Sequence, residues 1–380
     1  MRIAIIGQGY VGKALGIAAH EAKHEVIGIE IDSGRISELK ESIPYFISNK
    51  FSDVKKADIV VIAVPTPLSE SRQPDLSHLN SACESLVGNL KANALVVNES
   101  TSFPGTLRDI IAPSLGKDYL YASAPERIDP ANAFWKIKNT PRLIGGLSNE
   151  AQIRAEEFYR SICDEVVLVS SPEVAEAAKL FENSFRQVNI ALVNEFAKIM
   201  GALNIPTFET ISAAATKPFG FMRFLPSIGV GGHCIPVDPA YLGYVAESVG
   251  VESAFINLAS EVNESMPIYI ANLIAEHLEG NVHGKNIQVV GISYKANVPD
   301  IRESPSLKLI SILRKMGANV IWHDEIVGTW NLEESSRIQM VDVGIIATFH
   351  AGVDLQLWKE AGIFVADVST DPNTGFSKLL

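Results

Sequence analysis

The chain has 380 residues, 47% of them hydrophobic, and a formal net charge of −12. That length and apolar content provide for two or three domains with sizeable cores. The acidic balance excludes broad nucleic-acid binding, which needs a basic surface, and leaves any anionic ligand to local donors.

The three cysteines, Cys83, Cys163 and Cys234, are odd in number and widely spaced. They form no disulfide framework and have no zinc spacing, which points to a reducing, cytoplasmic setting. No signal peptide is visible, no apolar run approaches a membrane span, and no metal site is expected.

Residues 2–6 form a short apolar run that reads as a buried parallel strand, followed by Gly7-Gln-Gly9-Tyr10-Val11-Gly12 and an apolar-periodic stretch through Ala19. In a G-x-G-x-x-G turn between strand and helix, the first glycine permits the turn. The second lets backbone approach a pyrophosphate, and the third packs helix on strand. Glu30 ends the next strand, residues 25–30. A carboxylate there accepts ribose hydroxyls and repels a 2′-phosphate, which favours NAD over NADP, although Arg35 nearby is able to tolerate that phosphate.

Residues 57–64 and 94–98 are two further strands. Their carboxyl ends carry Pro65-Thr66-Pro67 and Glu99-Ser100-Thr101, where ligands bind in such sheets. Thr66, Ser100 and Thr101 are read either as cofactor or water contacts or as ordinary turn chemistry. Glu126 and Arg127 stand on a loop, as reacting groups or as a solvated charge pair.

Ser170 and Glu173 have capping-box spacing and Pro172 suits a first turn. Val174, Ala178, Phe181, Phe185, Val188, Leu192 and Phe196 then recur at helical spacing, giving one helix of roughly 30 residues that ends near Gly201. It serves as an interdomain spine, a dimer contact or a plain core helix. Lys179 and Asn183 share one face of it.

Cys234 follows Gly231-Gly232-His233 and precedes Pro236 and Asp238, where another helix is expected to begin. A thiol just ahead of a helix N-terminus has its pKa lowered, and the glycines open the approach to the sulfur. In the last third, residues 286–291, 317–324, 342–348 and 362–367 repeat the strand plan of the first third without G-x-G-x-x-G. A different ligand, or none, is therefore expected there. The fold class is α/β: an N-terminal Rossmann-type sheet and a C-terminal Rossmann-like sheet joined by a long central helix and a small helical domain. The boundaries expected are 1–170, 171–265 and 266–380.

Gly-x-Gly-Tyr-Val-Gly, Val-Pro-Thr-Pro, Ser-Thr-x-x-Pro-Gly-Thr, Pro-Glu-Arg-Ile, Lys-Leu-x-Glu-Asn, Gly-Gly-His-Cys-Ile-Pro-Val-Asp-Pro and Tyr-Lys295-x-x-x-x-Asp300-x-Arg302-Glu-Ser-Pro follow one another along the chain. In this order they resemble the UDP-glucose/GDP-mannose dehydrogenase family over nearly the whole length. The resemblance implies oxidation of carbon 6 of a nucleotide-bound sugar from alcohol to acid, with two NAD and one water consumed. Cys234 matches the family nucleophile, which forms a thiohemiacetal and then a thioester.

Further roles follow from the resemblance. Lys179 and Asn183 face the reacting carbon. Asp238 positions water or shuttles a proton with Thr101 as partner, and Glu126 assists thioester hydrolysis. The glycine turn (Gly7, Gly9, Tyr10, Val11, Gly12), Glu30, Arg35, Pro65, Thr66, Ser100 and Thr101 contact NAD. Arg302 approaches the cofactor and Lys295 the substrate, with Arg127, Gly231 and Gly232 also lining the sugar site. The C-terminal sheet holds the uridine diphosphate, and the long helix is a homodimer spine.

His233 and Ile235 stand where the glucose-specific branch has serine and phenylalanine. Together with Pro218-Phe-Gly-Phe-Met222 they resemble the branch acting on UDP-N-acetylhexosamines. Pro218 occupies the place of an arginine in the glucose branch, with Arg223 nearby as a substitute. Pro130-Ala131-Asn132 replaces a common Pro-Gly-Asn. Glucosamine-type and mannosamine-type sugars stay open, as does the microbial polysaccharide that the uronate would feed.

Overall fold

The computed structural model describes residues 1–128, 132 and 134–380. The substitution noted at Pro130 and Ala131 lies outside them. The chain divides into two compact units, Met1–Glu182 with Ala240–Glu252, and Asn183–Pro239 with Ser253–Leu380.

In the first unit, strands β1 (Arg2–Ile6), β2 (Glu25–Ile29), β3 (Phe46–Ser48), β4 (Ile59–Ile62), β5 (Leu95–Asn98), β6 (Leu120–Ser123), β7 (Arg142–Gly146) and β8 (Val166–Leu168) form one sheet. Its order is β3-β2-β1-β4-β5-β6-β7-β8. All neighbours are parallel except β6 and β7. Helices α1 (Tyr10–Glu21), α2 (Ser33–Lys40), α3 (Ser77–Leu86), α4 (Ala112–Leu115) and α5 (Asn149–Arg160) connect them.

Strand periodicity divides the sheet between two cores. Ile3 and Ile5 of β1 pack with Leu15, Ala19, Phe158 and Tyr159. Ala4 and Ile6 pack with Val54, Leu79 and Leu86 on the other face. Because both faces are covered, β4 and β5 are buried along their whole length; β4 reads as an unbroken apolar run and β5 as one that ends in Asn98. The chain runs outward in both directions from β1 and β4, so the ligand crevice of such a sheet lies at the carboxyl ends of these two strands.

Helix α6 spans Pro172–Ala202, 31 residues. It starts one residue later than the Ser170 cap implied. Glu173 is committed to Arg108 at 2.6 Å and does not reach back in a capping box. Its buried side is more polar, and its exposed side more apolar, than in an ordinary amphipathic helix. Glu176, Lys179, Asn183, Gln187 and Asn194 are buried, whereas Phe181 (68%), Phe185 (41%), Leu192 (62%) and Ile199 (49%) are exposed. The buried amides donate inward: Gln187 to Ser260 Oγ at 2.9 Å and Asn194 to Asn263 Oδ1 at 2.9 Å, with Gln187 Oε1 left without a partner.

After α6 come α7 (Thr207–Ala214), α8 (Asp238–Ser248) and α9 (Ala254–His277). The second sheet then uses β9 (Asn286–Val290), β10 (Asn319–His323), β13 (Val343–Ile346) and β14 (Phe364–Asp367), with a small hairpin of β11 (Thr329–Trp330) and β12 (Glu333–Glu334). Its order is β10-β9-β13-β14, all parallel, with α10 (Pro305–Lys315) and α11 (Gln356–Ala361) between strands.

The repeat seen in sequence is a repeat of geometry. Gly7 N–H donates to Ile29 O at 2.8 Å after β1, and Gly291 N–H donates to His323 O at 2.8 Å after β9. Among the described residues no helix is long and apolar enough to cross a membrane. His20 and His24 stand four apart at the end of α1, but His24 hydrogen-bonds Ser161 and no group of three metal-ligating side chains gathers among the described residues.

Candidate active site

In the first unit the glycine turn has the close approaches its pattern implies. A Cβ on Gly12 would lie 1.9 Å from Gly7 O, so only glycine lets α1 begin there, whereas Gly9 faces open space. Tyr10 and Val11 open the first turn of α1, whose free N–H groups suit a phosphate. Glu30 follows β2. Its Oε2 accepts from Gln8 N at 3.1 Å, and its Oε1 from Ile31 N at 2.8 Å and Asp32 N at 3.1 Å. These bonds fix the carboxylate at the switch point and leave lone pairs for a diol. Arg35 turns to Glu38 at 2.9 Å. Open space at Gly9, a helix N-terminus and an anchored carboxylate fit a dinucleotide.

Pro65 is exposed and Thr66 half-buried in the turn after β4. Ser100 Oγ holds that turn, donating to Val64 O and accepting from Val64 N, both at 2.9 Å. Thr101 is half-buried beside it in sequence.

Glu126 is far from a solvated charge. Its Oε1 accepts from Arg127 N at 2.6 Å and Ile128 N at 2.7 Å, and its Oε2 receives Arg142 Nη2 at 2.6 Å. Arg142, 3% exposed on β7, also faces Glu99 at 3.6 Å and lies over the Tyr159 ring. Tyr159 donates to Glu99 Oε1 at 2.5 Å. Burial pushes the Glu99 carboxyl upward, against the pull of Arg142. Arg127 is clamped by Glu182 at 2.7 Å and donates to Pro141 O at 2.8 Å.

Glu99, Arg142 and Tyr159 escaped the sequence reading of the site. The available signal was an arginine opening an otherwise apolar strand, since a fully buried charge requires a partner. On α6, Lys179 is 9% exposed and forms no ion pair among the described residues, so its solvated reading fails.

In the second unit Asn183 Nδ2 donates to Asp238 Oδ2 at 2.5 Å, and both side chains are buried. Cys234 is exposed, whereas Cys83 and Cys163 are buried. The Cys234 carbonyl accepts from Val237 N at 3.2 Å and Asp238 N at 2.8 Å, so the cysteine stands one turn ahead of α8, as its spacing implied. Arg302 pairs with Asp300 at 2.5 Å. That hydrogen bond raises the Arg302 pKa, and a smaller part of the rise comes from the neighbouring Cys234.

Gly232 N–H donates to Arg302 O at 2.9 Å, and the Tyr294 ring lies where a Cβ on Gly232, at φ +79°, would meet it at 2.8 Å. Gly231 packs on the same tyrosine. Lys295 follows Tyr294 on this loop. Arg223 is exposed and reaches Ser212 at 3.3 Å. Each unit thus gathers its own set: a dinucleotide turn with a buried carboxylate cluster in the first, and an exposed thiol with a buried amide–carboxylate pair in the second.

Three family profiles cover the chain: the NAD binding domain of the UDP-glucose/GDP-mannose dehydrogenase family at residues 1–52 and 44–163, its central domain at 173–265 and its UDP binding domain at 288–364. The chain belongs to the UDP-glucose/GDP-mannose dehydrogenase family. It is 33% identical to a UDP-N-acetyl-D-mannosamine dehydrogenase of Pyrococcus horikoshii, over 95% of this chain and 92% of that one. It is also 33% identical to a UDP-N-acetyl-D-glucosamine 6-dehydrogenase of Pseudomonas aeruginosa, over 83% and 80%. The solved structure of the Pyrococcus horikoshii UDP-D-ManNAc dehydrogenase superposes with a TM-score of 0.86 at 31% identity, covering 99% of this chain and 98% of that one.

The chain is accordingly an NAD-dependent nucleotide-sugar dehydrogenase with Rossmann-type sheets at both ends. Residues of the first sheet that would hold NAD are Gly7, Gly9, Gly12 and Glu30, and the nicotinamide supplies hydride acceptance when bound.

Proposed function

We propose that this dehydrogenase oxidises carbon 6 of a UDP-N-acetylhexosamine to the uronate through a thioester on Cys234. The observation that carries the reading is the setting of Cys234, an exposed thiol in the field of Arg302 and one turn ahead of the helix that Asp238 begins. The names of the relatives supply the sugar class, and mannosamine-type and glucosamine-type substrates stand equally.

In this reading Lys179 takes the alcohol proton and steadies the oxyanion, with Asn183 as a second donor. The sugar alcohol loses a hydride and a proton and becomes an aldehyde. The Cys234 thiolate adds to its carbonyl carbon, and the oxygen takes a proton to give a thiohemiacetal. Loss of a second hydride and proton leaves the thioester. Water then displaces the sulfur, the thiolate is regenerated and the acid is released. Asp238, oriented by Asn183 and partnered by Thr101, holds or shuttles the proton of that water. Glu126, bound by Arg142 and two backbone N–H groups, assists the hydrolysis. Lys295, Arg127, Arg223, Gly231 and Gly232 contact the substrate, and Arg302 the cofactor.

The outward apolar stripe of α6 supports a homodimer, because a monomer would leave Phe181, Phe185, Leu192 and Ile199 in water. Three free thiols agree with a cytoplasmic setting.

The test is absorbance at 340 nm with limiting UDP-N-acetylmannosamine, UDP-N-acetylglucosamine and UDP-glucose in turn. Two NADH per sugar are expected with one of the first two. Cys234→Ser is expected to bind NAD and form no acid. Normal turnover by that variant, or a single NADH per sugar, would remove the thioester.

A further inference from the structure

The second sheet keeps the acidic residue that ends the second strand of a dinucleotide fold, but fills its place from within. Asp324 follows β10 as Glu30 follows β2. Its Oδ2 accepts from Ile292 N at 2.9 Å and Ser293 N at 3.1 Å. Where a ribose would bind the first sheet, His350 Nε2 meets this carboxylate at 3.0 Å. Both side chains are buried. Burial alone would raise the Asp324 carboxyl, but the His350 hydrogen bond and the backbone N–H groups outweigh it and hold it at about 2.

The other imidazole nitrogen fixes the tautomer. His350 Nδ1 accepts Asn297 N–H at 2.9 Å, so it carries no proton, and Nε2–H is the donor to Asp324. Asn297, left-handed at φ +61°, returns the contact by accepting Ala351 N–H at 2.9 Å. Ser293 Oγ, 3.2 Å from His350 Nε2, donates to Lys295 O at 3.1 Å. Residues 294–302 are thus fastened at the base to His350 and its neighbours. Their far end carries Arg302 O, which accepts Gly232 N–H two residues before Cys234, while Tyr294 packs on Gly231 and Gly232.

We propose that His350 is a positioning residue: through Nδ1 and Asn297 it clamps the 294–302 loop, and the loop in turn sets Lys295, Arg302 and the backbone that carries Cys234. This rests on the reading of Cys234 and Lys295 given above, but its physical content, a loop held by one imidazole nitrogen, is measurable without turnover.

Two amides separate the two nitrogens. In His350→Asn the amide oxygen takes the place of Nδ1 and keeps the bond to Asn297. In His350→Gln the terminal nitrogen takes the place of Nε2 and keeps the bond to Asp324. The readouts are the alkylation rate of Cys234 by iodoacetamide, with Cys83 and Cys163 silent in the interior, and the dissociation constant of UDP by calorimetry. His350→Asn is expected to stay within two-fold of wild type in both, and His350→Gln to change both by about five-fold, the effect of one lost hydrogen bond.

Equal behaviour of the two amides, or tolerance of Gln and not Asn, would overturn the clamp and leave His350 a filler or a partner for Asp324 alone. Asn297→Gly, at an exposed left-handed position that glycine accepts, removes the Ala351 contact without threatening the fold. Because it keeps the N–H that Nδ1 accepts, it is expected to stay within about two-fold of wild type in both readouts, and a change as large as that of His350→Gln would show that the Asn297 side chain holds the loop and overturn the clamp. Normal turnover by Cys234→Ser would instead remove the thioester reading while the alkylation result stood.

Discussion

Replacing Arg142 with glutamine tests the buried charge cluster directly. The guanidinium is 2.6 Å from Glu126 and 3.6 Å from Glu99, with side-chain exposures of 3%, 9% and 0% for the three groups. Charge centres about 4 Å apart at an effective dielectric of about 20 interact by roughly 4 kcal/mol. Removing one member of a buried pair costs about 3–5 kcal/mol, because the partner is left charged and dry. For a unit the size of Met1–Glu182 with Ala240–Glu252, that corresponds to roughly 6–20 °C in its Tm.

The loss must depend on pH, and its sign follows from the carboxylates. Burial already raises the Glu99 pKa, and without Arg142 only the weaker Tyr159 hydrogen bond opposes it. A carboxyl whose folded pKa exceeds its unfolded value of about 4.3 loses stability as pH climbs from the second value to the first. The gap in Tm between wild type and Arg142→Gln is therefore expected to be small near pH 5, where Glu99 is able to hold a proton, and to widen toward pH 8. Calorimetry across that range measures it. A gap that is absent, or the same at both ends, would refute the reasoning.

Two further outcomes are expected. Glu30→Ala removes the carboxylate anchored by Gln8, Ile31 and Asp32, and should raise kcat/KM with NADP relative to NAD by ten-fold or more; an unchanged ratio would show that Glu30 does not touch the ribose. Leu192→Glu places a charge on the outward stripe of α6, and sedimentation should show a shift toward monomer with Rossmann-sheet stability intact; an unaltered dimer would move the interface elsewhere.

The parts that could be read from sequence are those where one local rule decides. Residues 3–6 and 59–62 are unbroken apolar runs because both sheet faces are covered, and Gly12 is glycine because nothing else clears Gly7 O. The turn ahead of α8 followed from Cys234 and Asp238 in the same way.

Other features depend on contacts that spacing does not encode. Strand β3 has three residues and takes its register from β2. Strand β7 opens with Arg142, whose burial makes sense only beside Glu99, Glu126 and Tyr159. The apolar spacing of α6 located the helix but not its orientation, because a stripe turned to solvent repeats with the same period as one turned to a core. His350 gave no signal at all, since its partners Asp324 and Asn297 are 26 and 53 residues away.

The discontinuity of the first unit bears on how the protein is made. Ala240–Glu252 belongs to it, and Tyr241, fully buried, donates to Pro67 O at 3.2 Å and packs near Phe103. A ribosome adding ~5–20 residues per second therefore needs roughly 12–50 s before the first unit has all its parts. For roughly 4–15 s of that time, after β8 is made and before residue 241 is added, the seat of Tyr241 stands open on a nascent chain whose first sheet is complete. Synthesis that stalls between residues 182 and 240 would release an apolar notch for chaperones and proteases to find, so the tyrosine marks the point at which the first unit, though not yet the second, can close.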